Sequence, residues 1–232
     1  MIVKAMRKNE IGSRRDYVYN YLYQNIINLN LEPGIGLSEN EIAKQLNVSR
    51  TPVREAMIQL EKQDLVEIVP QVGTFVSFIN PALVEESRSM REILESAIIK
   101  EAAEKLNTTA LFELETCIDN QKKLIEEGNF QEFLTSDDYF HETIFNSLGK
   151  ERTWQTIDQM NSQYKRFRSL RLSTTSTSEW EEIVKEHVGL HIALKNRDAC
   201  LAQKLMKEHL IKAVFHIDEL KTKHPDYFKD VM

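Results

Sequence analysis

The sequence has few residues of the kinds that cross-link or interrupt a chain. Its 232 residues include only two cysteines, seven glycines and five prolines. Cys117 and Cys200 lack the CxxC spacing of zinc and redox motifs, and both fall in helical patterns, so we expect two free, buried thiols rather than a disulfide framework. The sequence also lacks a glycine-rich phosphate loop and a GxSxG elbow, which leaves nucleotide-dependent and serine-hydrolase chemistry without support.

Long apolar runs are missing as well. No window approaches the ~18 consecutive apolar residues of a membrane span, and residues 1–10 are polar and basic, unlike a signal peptide. Apolar residues still make up 41% of the chain and charged residues 28%, the usual balance of a globular protein with a core. We therefore expect a cytoplasmic protein with no membrane partner.

The prolines and the charges divide the chain near residue 79. Four of the five prolines precede residue 83, and the strong turn signals are concentrated before it. We predict two domains, residues 1–78 and 79–232. The first carries nine basic and nine acidic residues and begins with a locally basic arm, so the net charge of −6 belongs to the second. The acidic balance of the whole chain therefore does not exclude nucleic-acid binding by the first domain.

The sequence of the first domain predicts three short helices with a tight turn between the last two. Ser13 with Asp16 predicts the first helix start, and Ser38 with Glu41 forms a capping-box pattern for the second. Pro52 falls in the first turn of the third helix, where proline is tolerated. The pattern is that of a helix-turn-helix.

The third helix buries one stripe and leaves cationic side chains near its start. Its apolar residues recur at helical spacing: Val53, Ala56, Met57 and Leu60. Arg50, Thr51 and Arg54 lie off that stripe, where long cationic side chains can reach base edges and phosphates in a major groove. Two β-branched runs, 65–69 and 74–78, follow, with Gly73 at the bend, and they predict a hairpin wing. The first domain is therefore predicted to be a winged helix-turn-helix.

Three motifs of this domain, at residues 37–43, 48–56 and 73–76, resemble the DNA-binding domain of the GntR superfamily of bacterial transcription regulators. The resemblance implies operator contacts near the start of the third helix and a wing glycine that approaches the minor groove. The residues implicated are Ser49, Arg50, Thr51, Arg54 and Gly73. Asn40 stands where the family often has arginine, so the resemblance implies a weaker or different DNA contact there.

The second domain is helical in pattern throughout, which makes the chain mainly α with an antiparallel helical bundle after the winged helix. Ser178 with Glu181 again forms a capping-box pattern. Arg166, Arg168 and Arg171 are predicted to be solvated or interfacial. Six helices are expected, near 82–106, 109–126, 129–147, 151–172, 179–196 and 198–221.

The histidines of this domain are its most informative residues. Asp137 and His141 lie one helical turn apart and can face a single ion, while His187 and His209 fall on later helices. Three neutral imidazoles and one carboxylate suit zinc, nickel, manganese or iron(II). The alternatives from spacing alone are ordinary core or surface histidines, or a rival pair formed by His187 and His191.

The patterns Asp137-x-x-x-His141, Glu186-His187 and Glu208-His209 resemble the FCD ligand-binding domain of FadR-type GntR regulators. The resemblance implies a divalent metal held by Asp137, His141, His187 and His209, with a small organic or sugar acid bound at it. Arg91 matches a family arginine that can pair with the effector carboxylate. His191 stands where the family usually has an aliphatic residue, so it serves either packing or the pocket lining.

Together these features predict a regulator that binds an operator as a homodimer and responds to an acid. Two-fold symmetry would place two winged helices on successive major grooves of a palindromic site of double-stranded DNA. Two alternatives stay open. One is a metal-dependent hydrolase that uses Asp137, His141 and His187, and the other is a constitutive DNA-binding protein without an effector. The metal, the effector, the operator and the choice between repressor and activator are not specified by the sequence.

Overall fold

The computed structural model describes residues 13–229 and divides the chain into two compact units, Met1–Phe78 and Ile79–Met232, which are described separately. Most of the predicted basic arm lies outside the described residues. The elements of the first unit are α1 (Arg14–Ile27), β1 (Gly36–Leu37), α2 (Glu39–Leu46), α3 (Arg50–Glu61), β2 (Val66–Val69) and β3 (Gly73–Val76).

The helices of the first unit begin at the predicted capping residues. Ser13 and Asp16 form a complete capping box, and the Ser38 hydroxyl accepts a hydrogen bond from the Glu41 amide. Asn47 adopts the left-handed conformation that asparagine tolerates, which makes the turn from α2 to α3 tight. Residues of all three helices and of the wing form one core, which includes Val18, Leu22, Ile26, Val53, Ala56, Met57, Leu60, Leu65 and Val76.

The wing is an antiparallel sheet with strand order β1-β3-β2. The predicted hairpin is present, with Val69 paired to Gly73. Gln71 takes the left-handed turn position (φ 63°), whereas Gly73 opens β3 instead of sitting at the bend as expected. Strand β1 was not predicted, because a strand of two residues is too short to show alternation.

The second unit is a helical bundle, which confirms the predicted fold class. Its largest core cluster includes Ile99, Leu114, Phe133, Phe140, Leu190 and Leu210. The helices are α4 (Pro81–Lys105), α5 (Thr108–Glu126), α6 (Phe130–Asn146), α7 (Glu151–Met160), α8 (Ser162–Thr174), α9 (Thr177–Lys195), α10 (Ala199–Lys212) and α11 (Ile217–Lys223), followed by a 3₁₀ turn (Pro225–Tyr227).

Two of the predicted helices are interrupted and one begins elsewhere. The expected helix 151–172 breaks at Asn161, which caps both α7 and α8 and is fully buried. The expected helix 198–221 breaks into α10 and α11. Helix α9 begins after Ser176, and the Ser178 hydroxyl bonds to that of Ser176 (2.6 Å) instead of forming the predicted capping box.

The thiols differ from each other. Cys117 is buried as expected, but Cys200 is exposed, because the first turn of α10 turns Ala202 rather than Cys200 toward the core. In residues 13–229, no helix is both long and apolar enough to cross a membrane.

Candidate DNA interface and metal centre

Helix α3 presents its cationic side chains to solvent. The side chains of Arg50 and Arg54 are 65% and 75% exposed, and Thr51 is exposed beside them. Ser49 is the exposed N-cap residue of α3 and makes no side-chain capping bond, so its side chain satisfies none of the free amides of the first turn. Helix N-termini of this kind attract phosphate groups.

Two further residues of the predicted interface lie on neighbouring elements. Asn40 is exposed in the first turn of α2. Gly73 is exposed on the wing with a φ of 154°, a conformation that residues with a side chain rarely adopt. The backbone of the wing at Gly73 therefore depends on the absence of a side chain.

In the second unit, three elements bring four ligand-type side chains together. Asp137 and His141 lie on the buried face of α6, His187 lies on α9 and His209 on α10. One ligand atom from each lies within 4.8 Å of all the others, and all four residues are buried. We call these four residues the His-Asp cluster.

The imidazole Nε2 atoms of the His-Asp cluster face its centre. His141 Nε2 lies 3.3 Å from His209 Nε2 and 3.8 Å from an Asp137 carboxylate oxygen. The other Asp137 oxygen lies 3.6 Å from His187 Nε2.

Each Nδ1 atom has its own partner outside the cluster. Glu95 Oε2 lies 2.6 Å from His141 Nδ1, and Glu186 Oε2 lies 2.7 Å from His209 Nδ1. Gln121 Oε1 lies 2.9 Å from His187 Nδ1. The contacts of His187 and His209 are hydrogen bonds, and that of His141 is a short approach to a carboxylate. A proton on Nδ1 faces each of these oxygens and leaves Nε2 with a free lone pair, the arrangement typical of metal-ligating histidines.

The protonation states favour a cation at the centre. Burial lowers the pKa of His141 and brings that of His187 well below its usual range, so both imidazoles are neutral at pH 7. His187 Nε2 is buried without a hydrogen-bond partner. With protons on both Nδ1 atoms, the Nε2 lone pairs of His141 and His209 face each other across 3.3 Å. A divalent ion would satisfy all of these atoms, so the donor set fits a metal.

The arginines near the cluster are buried, which corrects the prediction that they are solvated or interfacial. Arg168 is 7% exposed and bonds to Asp137 and Asp138, while Arg166 is fully buried. Arg171 is half-buried and bonds to Glu179 (2.9 Å). Arg168 lies inside because buried carboxylates accompany it: burial opposes ionisation of Asp137, but Arg168 holds the pKa of Asp137 below the usual range.

A cavity of about 350 Å³ opens beside the His-Asp cluster. Asp137, His209, Arg91, Arg168 and Tyr164 line it. Arg91 is 1% exposed, donates from Nε to Glu95, and has a buried Nη2 without a partner. The Tyr164 ring lies 5.2 Å from the Arg91 guanidinium and 5.6 Å from that of Arg168. The volume suits a small molecule, and the free donor suits an anion.

Several residues of this centre were not found from the sequence. The spacing of Arg91 and Glu95, one helical turn apart, is a signal that could have indicated Glu95. Gln121, Tyr164 and Arg168 show no comparable signal, because their roles depend on helix packing. His191 is buried outside the cluster, with Nε2 3.1 Å from the Leu111 carbonyl oxygen, so it serves packing.

Comparison with known proteins assigns both units to families. Residues 14–76 match the family described as bacterial regulatory proteins, gntR family, and residues 86–212 match the FCD domain. The chain belongs to the GntR family and carries an FCD domain. The resemblance seen in the sequence is thereby confirmed. Members of this family are DNA-binding transcription regulators, so the metal-dependent hydrolase is ruled out.

Individual relatives of this GntR regulator support the same family assignment. It is 29% identical over 213 residues to the HTH-type transcriptional repressor RspR of Escherichia coli, covering 92% of each chain. It is 32% identical over 217 residues to an HTH-type transcriptional regulator in an unstable DNA locus of Streptomyces ambofaciens, covering 93% of this chain and 89% of the relative. The solved structure of E. coli McbR/YncC shares the fold, with a TM-score of 0.77, 22% identity and coverage of 92% and 100%.

Proposed function

We propose that this GntR regulator is a metal-anchored sensor of a small carboxylate that controls its affinity for an operator. The observation that supports the proposal most strongly is the convergence of three imidazole Nε2 atoms and the Asp137 carboxylate, with each Nδ1 atom facing a partner outside. Such an arrangement serves a divalent ion better than it serves packing, because His187 Nε2 would otherwise stay buried and unsatisfied.

Asp137, His141, His187 and His209 would hold the divalent ion, with zinc, nickel, manganese and iron(II) as candidates. When bound, the ion would supply a fixed positive charge at the wall of the cavity, to which a carboxylate oxygen can bind. Arg91 lines the same cavity, and its Nη2 donor is buried without a hydrogen-bond partner. Arg91 therefore serves in the proposal as the second anchor of the effector carboxylate, and Tyr164 as a polar neighbour.

For DNA, the proposal assigns base and phosphate contacts to the N-terminal part of α3 and to its neighbours. Arg50 and Arg54 would reach base edges, and Ser49 and Thr51 would contact the backbone. Asn40 and Gly73 would add contacts from α2 and the wing. Two copies of the chain would pair, so that two winged helices read a palindromic operator. The relative RspR is named a repressor, and we propose repression here.

Operator binding in the presence and absence of acids tests this function. The operator is selected from a random duplex pool, and its affinity is measured for metal-loaded and chelator-treated protein against a panel of small organic and sugar acids. We expect at least one acid to change the operator affinity about 5-fold to 150-fold in the metal-loaded protein only. If the chain is a constitutive DNA-binding protein, no acid should change the operator affinity of either the metal-loaded or the chelator-treated form. That result would reject the proposal.

A further inference from the structure

The two arginines at the start of α3 share one carboxylate. Arg50 Nη2 donates to Glu39 Oε2 at 2.9 Å, and Arg54 Nε lies 4.0 Å from Glu39 Oε1. Glu39 is the first residue of α2, and its side chain is 26% exposed, whereas both arginines are more than half exposed. One half-buried acceptor on α2 therefore faces the two cationic side chains to which the proposed function, on which this inference rests, assigns the base contacts.

Stability does not explain this arrangement. Ion pairs between exposed side chains contribute little to folding, because solvent screens them and the long side chains lose conformational freedom. The contact instead fixes the positions of two guanidinium groups that lie one helical turn apart on the same face and repel each other. A guanidinium has five N–H donors, and a bidentate contact to guanine uses two of them. Arg50 can therefore keep its bond to Glu39 while it contacts a base.

Contacts to phosphates on non-specific DNA require a different orientation of the arginines than contacts to base edges. An arginine that turns toward the DNA backbone leaves Glu39, and the carboxylate then remains unpaired close to the negative phosphates. This cost arises in non-specific complexes and is avoided at a site where both arginines face base edges. We infer that Glu39 determines specificity: it positions Arg50 and Arg54 for base edges and penalises their use on phosphates.

The variant Glu39→Gln tests this inference, because glutamine keeps the size of the side chain but removes its charge. The probes are an operator selected with the wild-type chain from a random duplex pool and a duplex of the same length without that site. We expect the variant to bind the non-specific duplex about threefold to tenfold more tightly, with a salt dependence steeper by roughly one phosphate contact. Operator affinity should stay the same or fall, so the ratio of operator affinity to non-specific affinity should fall at least about threefold.

Glu41→Gln is the matched control. Glu41 lies in the same turn of α2, is exposed, and undergoes the same loss of charge. Both arginines, however, form their ion pairs with Glu39, Arg50 by a hydrogen bond and Arg54 at 4.0 Å. An equal loss of specificity in both variants would show a general charge effect and would overturn the inference. An unchanged affinity ratio in Glu39→Gln would also overturn it.

A second selection with Glu39→Gln separates positioning from direct base reading. We expect the same consensus with lower enrichment. A different base preferred at one position would mean that Glu39 contacts that base itself, and the positioning role would be wrong. If the wild-type chain selects no sequence at all, the assignment of the DNA interface fails, and the inference fails with it.

Discussion

Each imidazole of the His-Asp cluster is oriented through the nitrogen that faces away from the centre. Glu95, Gln121 and Glu186 come from three different helices, yet each holds one Nδ1 atom. Two of the partners are carboxylates, which raise the basicity of the opposite nitrogen, and one is an amide. The residue that gives the sharpest test is His187, because its Nε2 atom is fully buried and has no other partner.

His187→Ala should sharply reduce metal retention while the chain stays folded, because the proposed ion would lose one of its three imidazole ligands. Metal content after gel filtration measures the effect. His191→Ala is the control, since His191 lies one turn further along α9 and bonds to a backbone carbonyl outside the cluster. Full metal occupancy in His187→Ala would reject the proposed ligand set.

At the DNA interface, Arg54→Ala should weaken operator binding by about 1–3 kcal/mol, the usual value of a good contact to a base edge. Lys62→Ala removes the same charge at the opposite end of α3, and we expect a much smaller change there. The assay is a titration of the selected operator at fixed salt. Equal affinities of Arg54→Ala and wild type would remove Arg54 from the interface.

At the scale of elements, α8 shows how buried charges depend on each other. Arg168 bonds to two carboxylates of α6, and Lys165 lies 3.3 Å from one of them, Asp138. The same helix packs the apolar residue Phe167 into the core. Helix α8 therefore contributes both charge neutralisation and packing to the metal centre.

Arg168→Leu should destabilise the metal-free protein by about 3–5 kcal/mol, because Asp137 would lose its main buried partner and Asp138 would keep only Lys165. Urea unfolding of chelator-treated protein measures this free energy. Arg171→Leu is the comparison, since the Arg171 side chain is about as buried as that of Arg168 but its partner Glu179 is partly solvated, at 27% exposed against 4% for Asp137. A cost below about 1 kcal/mol for Arg168→Leu would show that the pairing does not stabilise the fold.

The elements also show what could be predicted from the sequence. The starts of α1 and α2 were predicted, because a serine side chain caps each helix, and α3 was predicted from its apolar stripe. The break at Asn161 was missed, because no proline or glycine marks it in the sequence. Asn161 is buried by the packing of helices that are distant in sequence, which local patterns do not show. The burial of Arg168 was missed for the same reason, since its partner Asp137 lies 31 residues away in sequence.

At the scale of the whole molecule, an acid can control DNA binding only if it binds two states of the regulator with different affinities. A coupling free energy of about 1–3 kcal/mol is typical of such linkage. In the proposed function the acid binds at the His-Asp cluster, and its preference for one state changes the affinity of the winged helix for the operator. The account therefore depends above all on the presence of the metal.

Elemental analysis of gently purified protein tests this claim most directly. The account predicts about one divalent transition metal ion per chain in the wild type. It also predicts that exhaustive chelation removes the ion and that added metal restores it. A wild-type chain that holds no metal, and takes up none when zinc, nickel, manganese or iron(II) is supplied, would contradict the account and leave a GntR-family DNA-binding protein without a metal-anchored sensor.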